Sequence, residues 1–255
     1  MKYLLQLIIF TSCIVTAQGQ TANPSDQLMI TSNENKSFVR EIENGILHIN
    51  VSPDDVQKFQ DDEFVRYSDF SATGDGKTDD INAIVATHAI ANKHGLLVKA
   101  DEGAIYYIGG KDRTAVIRTD TDFGTAAFII DDTDVENRRA PVFLVSSSRR
   151  PFKLGGISSL KRNQTKINVH LPGTCLITVT NSHVKRYIRF GNNQNNGSPQ
   201  TDIFLVDKNG NVDMDAPIIW DFDRITDITA LPLDETMLKI TGGRFTTIAN
   251  KAESK

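Results

Sequence analysis

Apolar positions along this chain follow two different periods. Between residues 81 and 92, Ile81, Ile84, Val85, His88, Ala89 and Asn92 recur at helical spacing, Asp79 and Asp80 stand before them, and Gly95 follows where a left-handed C-cap belongs. This predicts one docked helix of about four turns. Elsewhere the apolar residues form short runs of strand length: 46–51, 96–98, 104–108, 116–118, 126–130, 142–145, 167–169, 175–179, 187–190 and 203–206. Their spacing is uneven and no internal repeat stands out, which suits coils of variable length sharing one core. A β-sandwich explains the strands but not an opening led by a helix.

Before the helix comes Tyr67-Ser68-Asp69-Phe70-Ser71-Ala72-Thr73-Gly74-Asp75-Gly76-Lys77-Thr78-Asp79-Asp80. Gly74 and Gly76 supply backbone freedom at positive φ, while Asp75, Thr78, Asp79 and Asp80 offer oxygens to turn amides and to the unpaired amides of the helix start. The aspartates are read as structural turn and cap residues. Upstream, Ser52-Pro53-Asp54-Asp55 ends an early strand and opens a short helix through Phe59.

From Ser68 to Gly110 the order of turn, helix, apolar strand and tyrosine-bearing strand resembles the opening of the pectate-lyase-like superfamily of right-handed parallel β-helix proteins, in the manner of rhamnogalacturonase and epimerase N-terminal segments. Ser71 replaces a glycine of the family pattern, and Asp101-Glu102-Gly103 replaces a proline-glycine pair. The resemblance implies an all-β fold, a right-handed parallel β-helix with an N-terminal capping α-helix. It also implies polysaccharide as substrate class, with calcium as a cofactor where the chemistry is that of a lyase. The last strands, around Met237 to Ile248, are followed by no polar cap, so the solenoid is expected to be incomplete at its C-terminus, as in a fragment of a longer protein.

Lys2, the apolar run 4–10 and the small residues Val15-Thr16-Ala17 read as a secretory signal over residues 1–17. That apolar run is too short to span a membrane. Thr11-Ser12-Cys13 also admits a lipoprotein reading, the less favoured of the two. Residues 18–65 are then a leader with an early strand, and 66–255 the β-helix segment, carrying a hairpin insertion around 192–216. Within that insertion Asn209-Gly210 marks the turn. The run from Asp207 to Asp213 does not fit a calcium loop, because Gly210 stands at the fourth place and Ile218 replaces the chelating glutamate. Cys175 is expected to pack as a small apolar residue.

Charge is segregated. From Arg138 through Thr201 there is no Asp or Glu but eleven Lys and Arg, so a protein of net charge −4 divides into +11 and −15. Such a field concentrates anions, and arginine forks accept carboxylates and sulfates. Arg149, Arg150, Lys161, Arg162, Lys185 and Arg186 are the candidate substrate-binding residues, for an acidic polysaccharide. The competing account is plain neutralisation of the acidic remainder. Nucleic acid is not the expected partner, since few aromatics interleave with the basic residues. No catalytic residue is singled out: Asp131-Asp132 lacks the histidine-glycine motif of the hydrolases, and Trp220-Asp221-Phe222-Asp223 alternates as a core face against a solvated acidic one. His88 is read as packed, and no metal site is expected. The function implied is a polysaccharide-active solenoid, a lyase or hydrolase in its full form, or alternatively a non-catalytic carbohydrate-binding solenoid of the adhesin or tailspike kind.

Overall fold

Parallel pairing between short strands far apart in sequence organises most of the chain. The computed structural model describes residues 28–31, 39–43, 46–110, 113–135, 137, 139–192 and 194–250; the expected signal segment, Cys13 and Arg138 lie outside these. Two compact units emerge, one from the residues up to 144 together with those from 240 onward, the other from residues 145–239.

The first unit begins with a three-stranded sheet in which β3 (Ile46–Asn50) runs parallel to β1 (Leu28–Thr31) and antiparallel to β2 (Val39–Glu43). Helix α1 (Pro53–Asp62) follows. Its start is set by Ser52, whose Oγ accepts the Asp55 N–H at 3.1 Å, and by Pro53 in the first turn, where a missing N–H costs nothing. Three coils come next. The first holds β4 (Phe64–Arg66), β5 (Asp75–Asp79) and helix α2 (Ile81–His94). The second holds β6 (Leu97–Lys99), β7 (Ile105–Ile108) and β8 (Ala115–Ile117). The third holds β9 (Thr121–Asp122), β10 (Ala127–Asp131) and β11 (Phe143–Val145). The intervening strands β12 (Phe152–Lys153), β13 (Cys175–Arg186), β14 (Ser198–Val206) and β15 (Asp227–Pro232) separate these from a fourth coil, β16 (Ile240–Thr241) and β17 (Arg244–Ile248).

Equivalent strands of successive coils stack into parallel sheets, β4-β6-β9-β16 on one face and β5-β7-β10-β17 on the next, with β8 beside β11 on a third. This is a β-solenoid with an N-terminal helix. Register places Tyr106, Phe128 and Phe245 one above another. Their rings form an interior ladder, with centroids 5.1 Å apart for the first pair and 4.8 Å for the second, whose planes differ by only 10°. Phe123 and Phe143 meet Phe128 edge-on at 5.2 and 5.7 Å. Each such pair adds about 0.5–1.5 kcal/mol beyond the burial of its area. At the fourth coil Phe245 is 46 % exposed.

In the first coil α2 stands where later coils have a strand of the third face. Its Asn92 acts as a surrogate strand edge for β8, donating from Nδ2 to the Val116 carbonyl at 2.7 Å and accepting the Arg118 N–H at 3.0 Å. The turn before α2 is tied by carboxylates. Asp75 accepts the Lys77 and Thr78 amides, Asp79 accepts the Ile81 amide, and the buried Asp80 reaches back to the amides of Thr73 and Gly74 at 2.7 and 3.1 Å. Gly74 and Gly76 both have positive φ, and a Cβ on Gly74 would lie 2.9 Å from that of Ala104. His88 is buried inside α2's inner face, with Nε2 2.9 Å from the Tyr67 hydroxyl. Burial holds its pKa down to about 3, so the ring is neutral.

The second unit is antiparallel, a four-stranded sheet in the order β12-β15-β13-β14. Here the parallel coils expected through 167–190, ahead of the hairpin insertion, are corrected. Period-two alternation marks any strand with one buried face and does not encode pairing direction. The core comprises Cys175, Ile177 and Val179 from β13, Phe204 and Val206 from β14, Ile228 and Ala230 from β15, and Phe222. Cys175 is buried, which raises its thiol pKa. The Asp207–Asn211 turn closes through the Asp207 carboxylate, which accepts the Asn209 and Asn211 amides and Asn211 Nδ2. Gly210 has φ +85°, and a Cβ there would sit 2.1 Å from the Ile167 carbonyl, so only glycine lets this turn dock on the 165–171 segment. That docking, through Ile167 N–H to the Gly210 carbonyl at 2.8 Å, occupies residues 167–169, which form no strand.

Candidate functional site

All six candidate binding residues lie in the antiparallel unit, and two of them, Lys185 and Arg186, end the first strand of its longest hairpin. β13 and β14 pair in register from Cys175↔Val206 to Asn181↔Gln200, then slip, so that Lys185 faces Pro199 and Arg186 faces Ser198. The slip inserts 182–184 on the β13 side and changes which residues point toward the core. Arg186 thereby turns inward over Trp220, its guanidinium carbon 4.3 Å from the ring centroid. Its Nε is buried and has no hydrogen-bond partner. Lys185, its neighbour, is exposed.

Trp220 is fixed from behind. The buried Asp202 carboxylate accepts the amides of Ile219 at 2.8 Å and Trp220 at 3.3 Å, and the buried Gln200 donates from Nε2 to the Asp221 carbonyl at 2.9 Å. The next residues bring in two more candidates. Asp221 Oδ1 accepts the Arg162 backbone amide at 2.8 Å, and Asp223 pairs with Lys161 at 2.9 Å. That hydrogen bond and the two aspartate charges raise the Lys161 pKa. Leu160 and Phe222 exchange backbone hydrogen bonds alongside, at 2.9 and 2.8 Å.

Of the six candidates, Lys161, Arg162 and Arg186 therefore converge on the Trp220–Asp223 segment. Arg149 lies with Asp234 instead, 3.6 Å from it. Lys153 pairs with Asp227. Arg150, Arg162 and Lys185 are exposed, and among the described residues no ion pair involves their side chains. Sequence reasoning missed these local aspartate partners because they lie about 60 or more residues downstream of the basic run, on strands that return beside it.

The hairpin tip, described over residues 187–192 and 194–197, also escaped the sequence reading, which took 187–190 as a strand. β13 ends at Arg186, and Tyr187 adopts φ +53°, a left-handed conformation that is strained for an aromatic residue. The tip then presents Tyr187 75 % exposed and Phe190 87 % exposed, with Ile188 about half-exposed between them. Arg189 and Asn195 bridge it, the Asn195 amide donating to the Arg189 carbonyl at 3.2 Å. The available signal was the Gly191–Gly197 stretch of Gly, Asn and Gln directly after the aromatics, which breaks strand and helix alike.

Among the described residues no group of three or more His, Cys, Asp or Glu side chains is placed to hold a metal ion, and no helix is long and apolar enough to cross a membrane. The Asp131 carboxylate of the coil unit accepts the Tyr107 hydroxyl at 2.8 Å together with the Thr133 amide and hydroxyl.

No family model matches this chain, and no curated protein matches it. A solved structure similar to it is the Gp54 tailspike of Acinetobacter baumannii bacteriophage AP22, in complex with A. baumannii capsular saccharide. The two are 10 % identical with a TM-score of 0.36, over 75 % of this chain and 30 % of the tailspike chain, so this chain spans less than a third of that protein's length.

Proposed function

We propose that this protein is an exported β-solenoid that binds an acidic polysaccharide without cleaving it, the antiparallel unit supplying the binding face. The observation that carries this reading is the surplus of cations in that unit. Residues 145–239 hold twelve Lys and Arg against nine Asp and Glu, while the rest of the chain holds sixteen against twenty-three. Arg150, Arg162 and Lys185 keep exposed side chains outside the ion pairs that engage Arg149, Lys153 and Lys161. Exposed cations of this kind recruit a polyanion over a distance of a Debye length and hold it with salt-sensitive affinity.

Binding is favoured over cleavage by what the nearest carboxylates do. Asp221 and Asp223 are exposed and already engaged by Arg162 and Lys161, an arrangement for anchoring chain segments. A general acid needs a carboxyl kept protonated in an apolar pocket. The Ser68–Gly110 motif supports placing the solenoid among the pectate-lyase-like right-handed β-helices, and residues 1–17 support export as its address.

The test is affinity electrophoresis of the protein through gels containing polygalacturonate, alginate, a sulfated glycan or neutral dextran, with unsaturated-product absorbance followed in parallel. The expected result is retardation by the charged polymers that fades with salt, and no product. Retardation by dextran alone, or release of product, overturns this reading.

A further inference from the structure

Resting on that reading, we propose that the hairpin tip, through Ile188, Arg189, Phe190, Gln194, Asn195 and Asn196, is the subsite that grips one carboxylated sugar residue of the polymer. Phe190 stacks on the ring, Arg189 receives the carboxylate, and Gln194, Asn195 and Asn196 take up hydroxyls.

Four observations lead there. A cleft of about 390 Å³ lies in the tip, lined by Ile188, Arg189, Phe190, Gln194, Asn195 and Asn196. That is within the range of small-ligand sites and combines one apolar wall with a few convergent polar groups. The ring of Phe190 is almost wholly in water, an arrangement that costs free energy in the absence of a covering group. Arg189 is exposed and takes part in no ion pair among the described residues. Finally, Tyr187 holds a left-handed backbone conformation, strain of the sort that persists where a site must be presented in one geometry.

A pyranose has an apolar face of C–H groups and an equator of hydroxyls, which matches a wall of aromatic carbon beside a row of amides. Amides donate and accept, as hydroxyls do, whereas Arg189 only donates and therefore selects a group that only accepts, a carboxylate. A lipid surface would also accept Tyr187, Ile188 and Phe190. It would, however, strip water from Gln194, Asn195 and Asn196 without offering partners, which is costly in hydrocarbon. The saccharide is the better match.

Calorimetric titration of the full chain with oligogalacturonate and with the same oligomer after carboxyl reduction tests this. Arg189→Gln is expected to weaken binding of the charged oligomer about tenfold or more and leave the reduced oligomer unchanged. Phe190→Ala is expected to weaken both by about threefold to tenfold. Both side chains are exposed, so the thermal midpoint should stay at the parent value and certify the fold. If the parent binds and both variants bind equally well, the tip is not the subsite and the general reading stands. If the parent binds no charged oligomer, the reading itself fails and this assignment with it. Association with phosphatidylserine vesicles that is lost in Phe190→Ala, without saccharide binding, would make the tip a membrane contact and overturn the assignment.

Discussion

In the coil unit the largest rings point inward and stack: Tyr67, Phe70, Tyr106 and Phe128 are wholly buried. In the antiparallel unit Phe204 and Phe222 are buried likewise, but Tyr187 and Phe190 are turned into water at the tip of a hairpin. Charge divides the same way, with acids in excess over the coils and cations in excess over the antiparallel unit. A solenoid has little freedom to vary its interior, because each rung must match the one below. An antiparallel hairpin can lengthen its tip without disturbing the sheet, so its tip is free to expose large side chains.

Four measurements would break or sharpen that contrast. Phe128→Ala should cost about 3–5 kcal/mol in a urea titration followed by circular dichroism, since it empties the middle of the ladder. A loss below about 1 kcal/mol would mean the ladder is loosely packed. Acidification comes next. Burial holds His88 at a pKa of about 3, whereas the unfolded chain takes up its proton near 6.5. Stability should therefore fall as pH drops from about 6.5 towards 3, by about 1.4 kcal/mol per pH unit, or about 2–3 kcal/mol by pH 4.5. Asp80 works the other way near pH 4, because burial raises its folded pKa and the folded form then binds the proton first. His88→Leu should flatten the dependence of melting temperature on pH; an unchanged slope would remove His88 as its cause.

Smaller effects are expected in the antiparallel unit. Asp202→Asn weakens charge-assisted hydrogen bonds to Ile219 and Trp220 and should cost about 1–2 kcal/mol. Trp220 is the single tryptophan, so its emission reports the change directly, and an unaltered spectrum would show that Asp202 does not hold it. The smallest effect belongs to Lys161→Ala. Its pair with Asp223 is solvent-exposed, and no measurable change in the melting temperature is expected.

What was legible in the sequence depended on how local its cause is. The start and end of α2 are written in Asp79 and Gly95, within one turn of the residues they serve, and the helix spans Ile81–His94, whereas Asp80, read with them as a cap, ties the Thr73 and Gly74 amides of the preceding turn instead. The solenoid character was legible through that opening. The antiparallel unit was not, because Cys175, Ile177 and Val179 alternate in the same way whether their neighbour runs with them or against them. Part of the candidate site was legible as charge, in Lys161, Arg162 and Arg186. The stacking of Arg186 on Trp220 was not, since it depends on a bulge between Asn181 and Lys185 that shifts the strand's faces. Tyr187 and Phe190 fell in a run read as a strand, 187–190, because an exposed aromatic and a buried one look alike in sequence.

The insertion of residues 145–239 between the third and fourth coils sets a timetable for synthesis. Thr241 meets Asp122 across 119 residues, and Phe245 meets Phe128 across a similar stretch. At about 5–20 residues per second, a ribosome needs on the order of ten seconds to deliver the fourth coil after the third has emerged. For that interval the nascent chain carries an unfinished aromatic rung and an open strand edge. Contacts of such long range also close slowly and late. The fourth coil is thus the step at which chaperones have the most time to act and at which folding is most exposed to error.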